Sequence, residues 1–303
     1  MNNFLVEDKK ISDTITHSNY YELNDLMLLI PPYSEDYKNI FVPKRFMDNV
    51  VCHIIAPYLK QDNNYKPPIY LAIKGDPGKG KTAQAIATCT QKGFYVIYIS
   101  ASSLSGSHEN EAKEKFQKIY NYAVHLSNNN LVAIIIDDFH KGIINDNENV
   151  KKTINSNILI GHMMNLAEHN GSIHIPIILT ANELSNIYAP LLRIGRADIF
   201  LWKPFPDERR EVVFSIISSF IAEKDDNKFE QFYKKYSNQN IAFFAQLKNQ
   251  WRKNLLKEQL QKIETFNQLN LSRIDSFINS YKNEITYNVL NSVAESLIKQ
   301  RGI

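Results

Sequence analysis

Between Phe46 and Trp202 the hydrophobic positions of the chain alternate between two periods. Phe46, Val50, Val51, Ile54 and Ile55 recur at helical spacing, and Pro57, Pro67 and Pro68 then punctuate the approach to a short apolar run at 69–74. A Gly-rich turn and a helix opening near Thr82 come next. Further apolar runs predict strands at 94–100, 131–137, 175–181 and 198–202, with helices at 109–126 and from about 149 to 168 between them. Strands that read as nearly unbroken apolar runs and alternate with helices predict an α/β fold, a parallel five-stranded sheet sandwiched by helices. Ahead of it, residues 1–45 are mixed, with one apolar stretch (26–30) stopped by Pro31 and Pro32, and read as an N-terminal extension. Beyond it, Pro204 and Pro206 end the alternation and the pattern is helical almost to the terminus, with Asp207 as the expected N-cap of the first helix. The organisation expected is therefore an extension (1–45), an α/β domain (46–203) and a C-terminal helical domain (204–303).

Composition narrows the class without naming a partner. The 303 residues carry 35 Lys+Arg against 32 Asp+Glu and are 44% hydrophobic, which excludes fibrous and disordered classes. A net charge of +3 argues against a general nucleic-acid binder, so no nucleic acid is expected as partner. Cys52 and Cys89 stand alone, too few for a disulfide framework or a zinc site, which suggests a reducing compartment. The first ten residues place acids where a signal peptide needs a basic and then an apolar run. The longest apolar runs are of strand length, far short of the roughly 20 residues that span a bilayer. No membrane association is expected, and a cytoplasmic location is.

Chemistry enters at Gly75-Asp76-Pro77-Gly78-Lys79-Gly80-Lys81-Thr82, a full match to the phosphate loop G-x-x-x-x-G-K-S/T (Walker A), lying between a predicted strand and a predicted helix. Glycines let the backbone turn its amides toward phosphates, and the helix start adds positive potential. Lys81 is expected on the β- and γ-phosphates of ATP, and Thr82 on Mg²⁺. Asp137 and Asp138 close the apolar strand downstream, where a phosphate-loop fold carries its Walker B acid: Asp137 is assigned to Mg²⁺ and Asp138 to the attacking water as general base. Asn182 follows the fourth strand, where a neutral amide can orient water or touch the γ-phosphate. Arg193 and Arg196 flank Gly195 just before the last strand, and arginine is suited to stabilising charge on a transferring phosphoryl group.

In this order the four motifs resemble those of the AAA+ ATPases, in which the arginine segment lies at a subunit boundary and reaches the neighbour's nucleotide. The resemblance implies a homo-oligomeric ring, a hexamer, with ATP bound between protomers and arginines acting in trans. A finer resemblance, to Rubisco activase, runs from about residue 40 to 260. It is carried by 40–51, by the helix around Met163-Met164-Asn165-Leu166-Ala167, by the block 175–196 with its Tyr188-Ala189-Pro190, and by 239–248. It implies an ATP-driven enzyme that pulls on a protein client, Rubisco, to release inhibitory sugar phosphates, in the cytoplasm or in a plastid stroma.

This chain departs from that pattern at several points. Lys248 stands where the family carries its sensor-2 arginine and keeps the charge without the planar fork. Asp137 replaces a frequent asparagine. No tryptophan precedes Trp202, the stretch 258–272 is short for a substrate-recognition helix, and no redox tail or small-subunit-like domain follows Ile303. The segments expected to face a ring pore are 101–107 and 141–152. The alternatives are an AAA+ ATPase acting on another client, a nucleic-acid loader, or a nucleotide-dependent scaffold. A loader would want a basic surface that this charge balance does not suggest.

Overall fold

The computed structural model describes residues 23–59, 66–106, 108, 110–139, 150–168, 174–184, 189–261, 276 and 285–301. The chain divides into two compact units, one made of the residues up to Pro77 together with Lys81–Trp202, the other of Gly78–Gly80 with the residues from Lys203 onward.

The first unit is built on β1 (Leu28–Ile30), α1 (Lys44–Ile55), β2 (Tyr70–Lys74), α2 (Lys81–Gln91), β3 (Tyr95–Ser100), α3 (Glu111–Leu126), β4 (Val132–Asp137), α4 (Val150–Glu168), β5 (Ile177–Ala181) and β6 (Ala197–Leu201). The strands form one sheet in the order β1-β3-β4-β5-β2-β6. The five strands from β2 to β6 pair in parallel, as the apolar runs predict. The sheet gains a sixth strand from the segment read as an extension: β1 pairs antiparallel with β3, Leu28 opposite Tyr98 and Ile30 opposite Val96. Pro31, directly after β1, has no amide hydrogen to continue a ladder, so the strand stops there.

Both faces of the sheet are covered, which is why its strands are apolar at consecutive positions. Tyr70, Ile97, Ile99, Ile134, Ile136, Ile177 and Leu179 pack with α3 and α4 on one face. Their neighbours Leu71, Ile73, Val96, Ala133, Ile135 and Ile178 pack with α1 and α2 on the other. Cys89 lies fully buried in that second layer, its thiol pushed up to about 12 by burial, whereas Cys52 is exposed.

His53 on α1 is buried with its Nε2 unbonded, and burial holds the imidazole down at about 4. Above pH 6.5 it is neutral in both folded and unfolded chains. Between 6.5 and 4 the unfolded chain takes up a proton that the folded chain refuses, so stability falls as pH falls, by roughly 3 kcal/mol over the whole window. Urea unfolding at pH 7.5 and pH 5 should therefore show wild type losing about 2 kcal/mol more than His53→Leu. Parallel losses would contradict this reading of His53.

The second unit contains α5 (Pro206–Ser218), α6 (Asp226–Lys235), α7 (Ile241–Leu260) and α8 (Tyr287–Arg301) around an aromatic-rich core of Phe229, Phe232, Phe243, Phe244, Trp251 and Tyr287. Asp207 is not the N-cap of α5. The helix starts one residue earlier with Pro206 in its first turn, and the Glu208 carboxylate accepts the Phe205 amide at 2.7 Å. The Arg209 guanidinium stacks on Tyr233 and Phe244 and donates to the Tyr233 hydroxyl and the Gln239 carbonyl, both at 2.6 Å. Among the described residues no helix is long and apolar enough to cross a membrane. The expected client segment at 141–152, Tyr188 and most of 258–272 lie outside the described residues or carry no described side chains.

Candidate nucleotide site

The parallel register brings the C-terminal ends of four strands level. Ser100 pairs with Asp137, Ile136 with Leu179, and Lys74 with Ala181. The phosphate loop leaves β2 at this edge and enters α2 at Lys81. Gly78 and Gly80 take φ of +72° and +78°, the left-handed region that only glycine enters without strain. Gly75 is required for a different reason: a Cβ there would lie 2.2 Å from the Trp202 carbonyl oxygen. Asp76 and Pro77 are exposed, and Lys79 is half-buried.

Lys81 is almost wholly buried, and its ammonium bridges the loop to β5. It donates to the carbonyls of Gly75 (2.6 Å) and Asp76 (3.0 Å) and to Asn182 Oδ1 (2.8 Å). An ammonium has three donors and no acceptor, so these contacts match its capacity and hold a positive charge at the loop. Asn182 and Lys81, far apart in sequence, are thus neighbours.

One residue on, Thr82 Oγ1 donates to Asp137 Oδ1 at 2.5 Å. Thr180 Oγ1 donates to the same oxygen at 2.5 Å and lies 3.3 Å from the Thr82 hydroxyl. The other oxygen, Oδ2, accepts the Tyr98 phenol at 3.0 Å. Burial, then the Asp137 charge, push that phenol up to about 12, so it stays protonated. Asp138 turns out of the strand at φ +52°, a region acidic side chains tolerate better than most, and its amide donates to Thr180 Oγ1 at 3.3 Å. Thr180 and Tyr98 were not singled out from sequence. Thr180 could have been, as the one hydroxyl in an otherwise apolar strand; Tyr98 is one of 16 tyrosines and carries no local mark.

The paired arginines part company. Arg193 is exposed, next to a fully exposed Ile194. Arg196 is mostly covered: it pairs with the Glu168 carboxylate at the end of α4 and donates to the Pro190 carbonyl at 2.5 Å. Gly195 between them sits at φ +92°, which turns the chain so that the two side chains diverge. Lys248 is an exposed cation on α7 of the second unit.

Residues 71–205, from β2 through both arginines, match the family model described as "ATPase family associated with various cellular activities (AAA)". This part of the chain is thus similar to an AAA ATPase domain. Such a domain is a nucleotide-binding one, and the matched segment holds every motif residue named above except Lys248. The chain is also similar to curated Rubisco activases. It is 26% identical to ribulose bisphosphate carboxylase/oxygenase activase of Anabaena sp. over 223 residues, covering 69% of this chain and 53% of the relative. To activase 1, chloroplastic, of Nicotiana tabacum it is 27% identical over 231 residues, 71% of this chain and 52% of the relative. To the chloroplastic activase of Vigna radiata var. radiata it is 28% identical over 222 residues, 69% and 50%. The chain spans about half the length of the curated relatives it matches. The AAA match and these relatives support an activase-like AAA+ protein.

Proposed function

We propose that this chain is an ATP hydrolase that remodels a protein client, working as a homo-oligomeric ring of six subunits. The observation that carries the reading is the contact of Thr82 with Asp137 at the foot of the phosphate loop, beside the buried ammonium of Lys81. In this reading the loop residues Gly75–Thr82 cradle the phosphates and Lys81 neutralises their charge. Thr82 and Asp137 offer hard oxygen donors side by side, a set that suits Mg²⁺ held with help from phosphate and water oxygens. The ion would supply charge neutralisation at the β- and γ-oxygens.

Asp138, at the turn out of β4, takes the proton of the attacking water, and Asn182, tethered to Lys81, orients it. Arg193 is the residue offered to a neighbouring subunit, because it is exposed, while Arg196 orders the segment that presents it. Lys248, at the position of the family's sensor-2 arginine, is kept as a candidate nucleotide contact on its place in the sequence alone.

The client proposed is Rubisco, on the strength of the relatives' names, and the compartment is the one where Rubisco resides, a stroma or a cytoplasm. The test uses the full chain with ATP, Mg²⁺ and sugar-phosphate-inhibited Rubisco from the same source. Carboxylation should recover with wild type and not with Lys81→Ala, which should also lose ATP binding by at least about a hundredfold. Active ATP hydrolysis with no recovery of carboxylation would reject Rubisco as client; wild type that binds ATP and assembles without hydrolysis would reject the enzyme in favour of a scaffold.

A further inference from the structure

Asp137 is gripped from both flanks. β4 lies between β3 and β5 in the sheet, and each neighbour sends one hydroxyl to the carboxylate. Thr180 of β5 joins Thr82 on Oδ1, and Tyr98 of β3 takes Oδ2. A carboxylate at the end of a strand is otherwise free to turn about its last bond and exchange its two oxygens. Donors on opposite sides remove that freedom and leave a defined oxygen facing Thr82. The Tyr98 ring is half-buried against the layer formed by α1 and α2, so the phenol is delivered from a supported position.

We propose that Tyr98 is a positioning residue for the metal carboxylate: by occupying Oδ2 it keeps Asp137 a one-oxygen donor and makes the site selective for Mg²⁺ over Ca²⁺. The inference rests on the reading of Thr82 and Asp137 as the metal pair. Mg²⁺ is small, demands an octahedral shell and takes carboxylates through single oxygens, whereas Ca²⁺ accepts six to eight ligands and often both oxygens of one carboxylate. An Oδ2 already bonded to a phenol is closed to the second mode. Thr180 serves the same arrangement from the other side and keeps a bond to Oδ1 when the Thr82 hydroxyl turns to the ion.

The experiment is a titration of the full chain with a fluorescent ADP analogue in EDTA, in Mg²⁺ and in Ca²⁺, for wild type and Tyr98→Phe. Phe keeps the ring and its packing, and equal affinity in EDTA certifies that the variant is folded at the site. The Mg²⁺-dependent gain in affinity should fall about tenfold in Tyr98→Phe while the Ca²⁺-dependent gain holds or rises, so that the ratio of the two drops. Equal Mg²⁺ gains and equal ratios in the two proteins would overturn the role of Tyr98 and leave the metal pair standing. A wild type whose affinity is indifferent to Mg²⁺ would overturn the metal pair itself, and the inference with it.

Discussion

Arg193→Ala should lower ATP turnover about a thousandfold at saturating ATP while changing nucleotide affinity by less than about twofold. The expectation follows from its exposure together with the proposed ring: a guanidinium in solvent contributes little to its own subunit, and in such a ring it would be available to the nucleotide of a neighbour. Mixing makes the test specific. In rings assembled from Arg193→Ala and Lys81→Ala subunits, the intact loop of the first can meet the intact arginine of the second, and turnover should partly return. Unchanged turnover in Arg193→Ala, or no recovery on mixing, would remove the trans role. Arg196→Ala is a different lesion. It breaks the pair with Glu168 and the bond to the Pro190 carbonyl, so Glu168→Ala, which touches only the first of these, should reproduce much of its effect.

Gly75→Ala should cost about 3 kcal/mol of stability and weaken nucleotide binding at least about tenfold. The new methyl would meet the Trp202 carbonyl oxygen at 2.2 Å, and neither side can give way cheaply. The Trp202 amide is bonded to the Lys74 carbonyl at 2.6 Å, and its ring is buried between Phe46 and Phe200 under the Arg45 guanidinium. Gly195→Ala is the useful contrast. Its Cβ would meet nothing within 4 Å, so only the positive φ is strained and the cost should be about 1 kcal/mol. Comparable unfolding midpoints for the two variants would show that the wall behind Gly75 yields.

What could be read from the sequence was local in character. The apolar runs of β2 to β5 and the loop between β2 and α2 announce themselves within a few residues, and the structure shifts their ends by only one or two positions. β1 was missed because three residues with an exposed Leu28 make no period of their own; the strand exists through its pairing with residues 96–98. Tyr98 and Thr180 were missed for a related reason, since their meaning lies in strand order, which sets both beside Asp137. The two arginines looked equivalent because the residue that separates them, Glu168, belongs to another helix. Asp207 was misplaced because its side chain suits a cap, whereas the backbone had already turned at Pro206.

The short antiparallel strand changes what the beginning of the chain means for anyone handling the molecule. Leu28 lies opposite Tyr98, the Leu26 carbonyl accepts the Ser103 hydroxyl at 2.9 Å, and the Tyr33 amide donates to the Thr90 carbonyl at 2.9 Å. A few residues that seem spare therefore clasp β3 on the side away from Asp137, and they tie down the turn after β3 and the end of α2. Trimming back to the first parallel strand would strip the pairing from β3, the strand that carries Tyr98 to Asp137. The stretch from 23 to 33 is knitted into the sheet rather than appended to it.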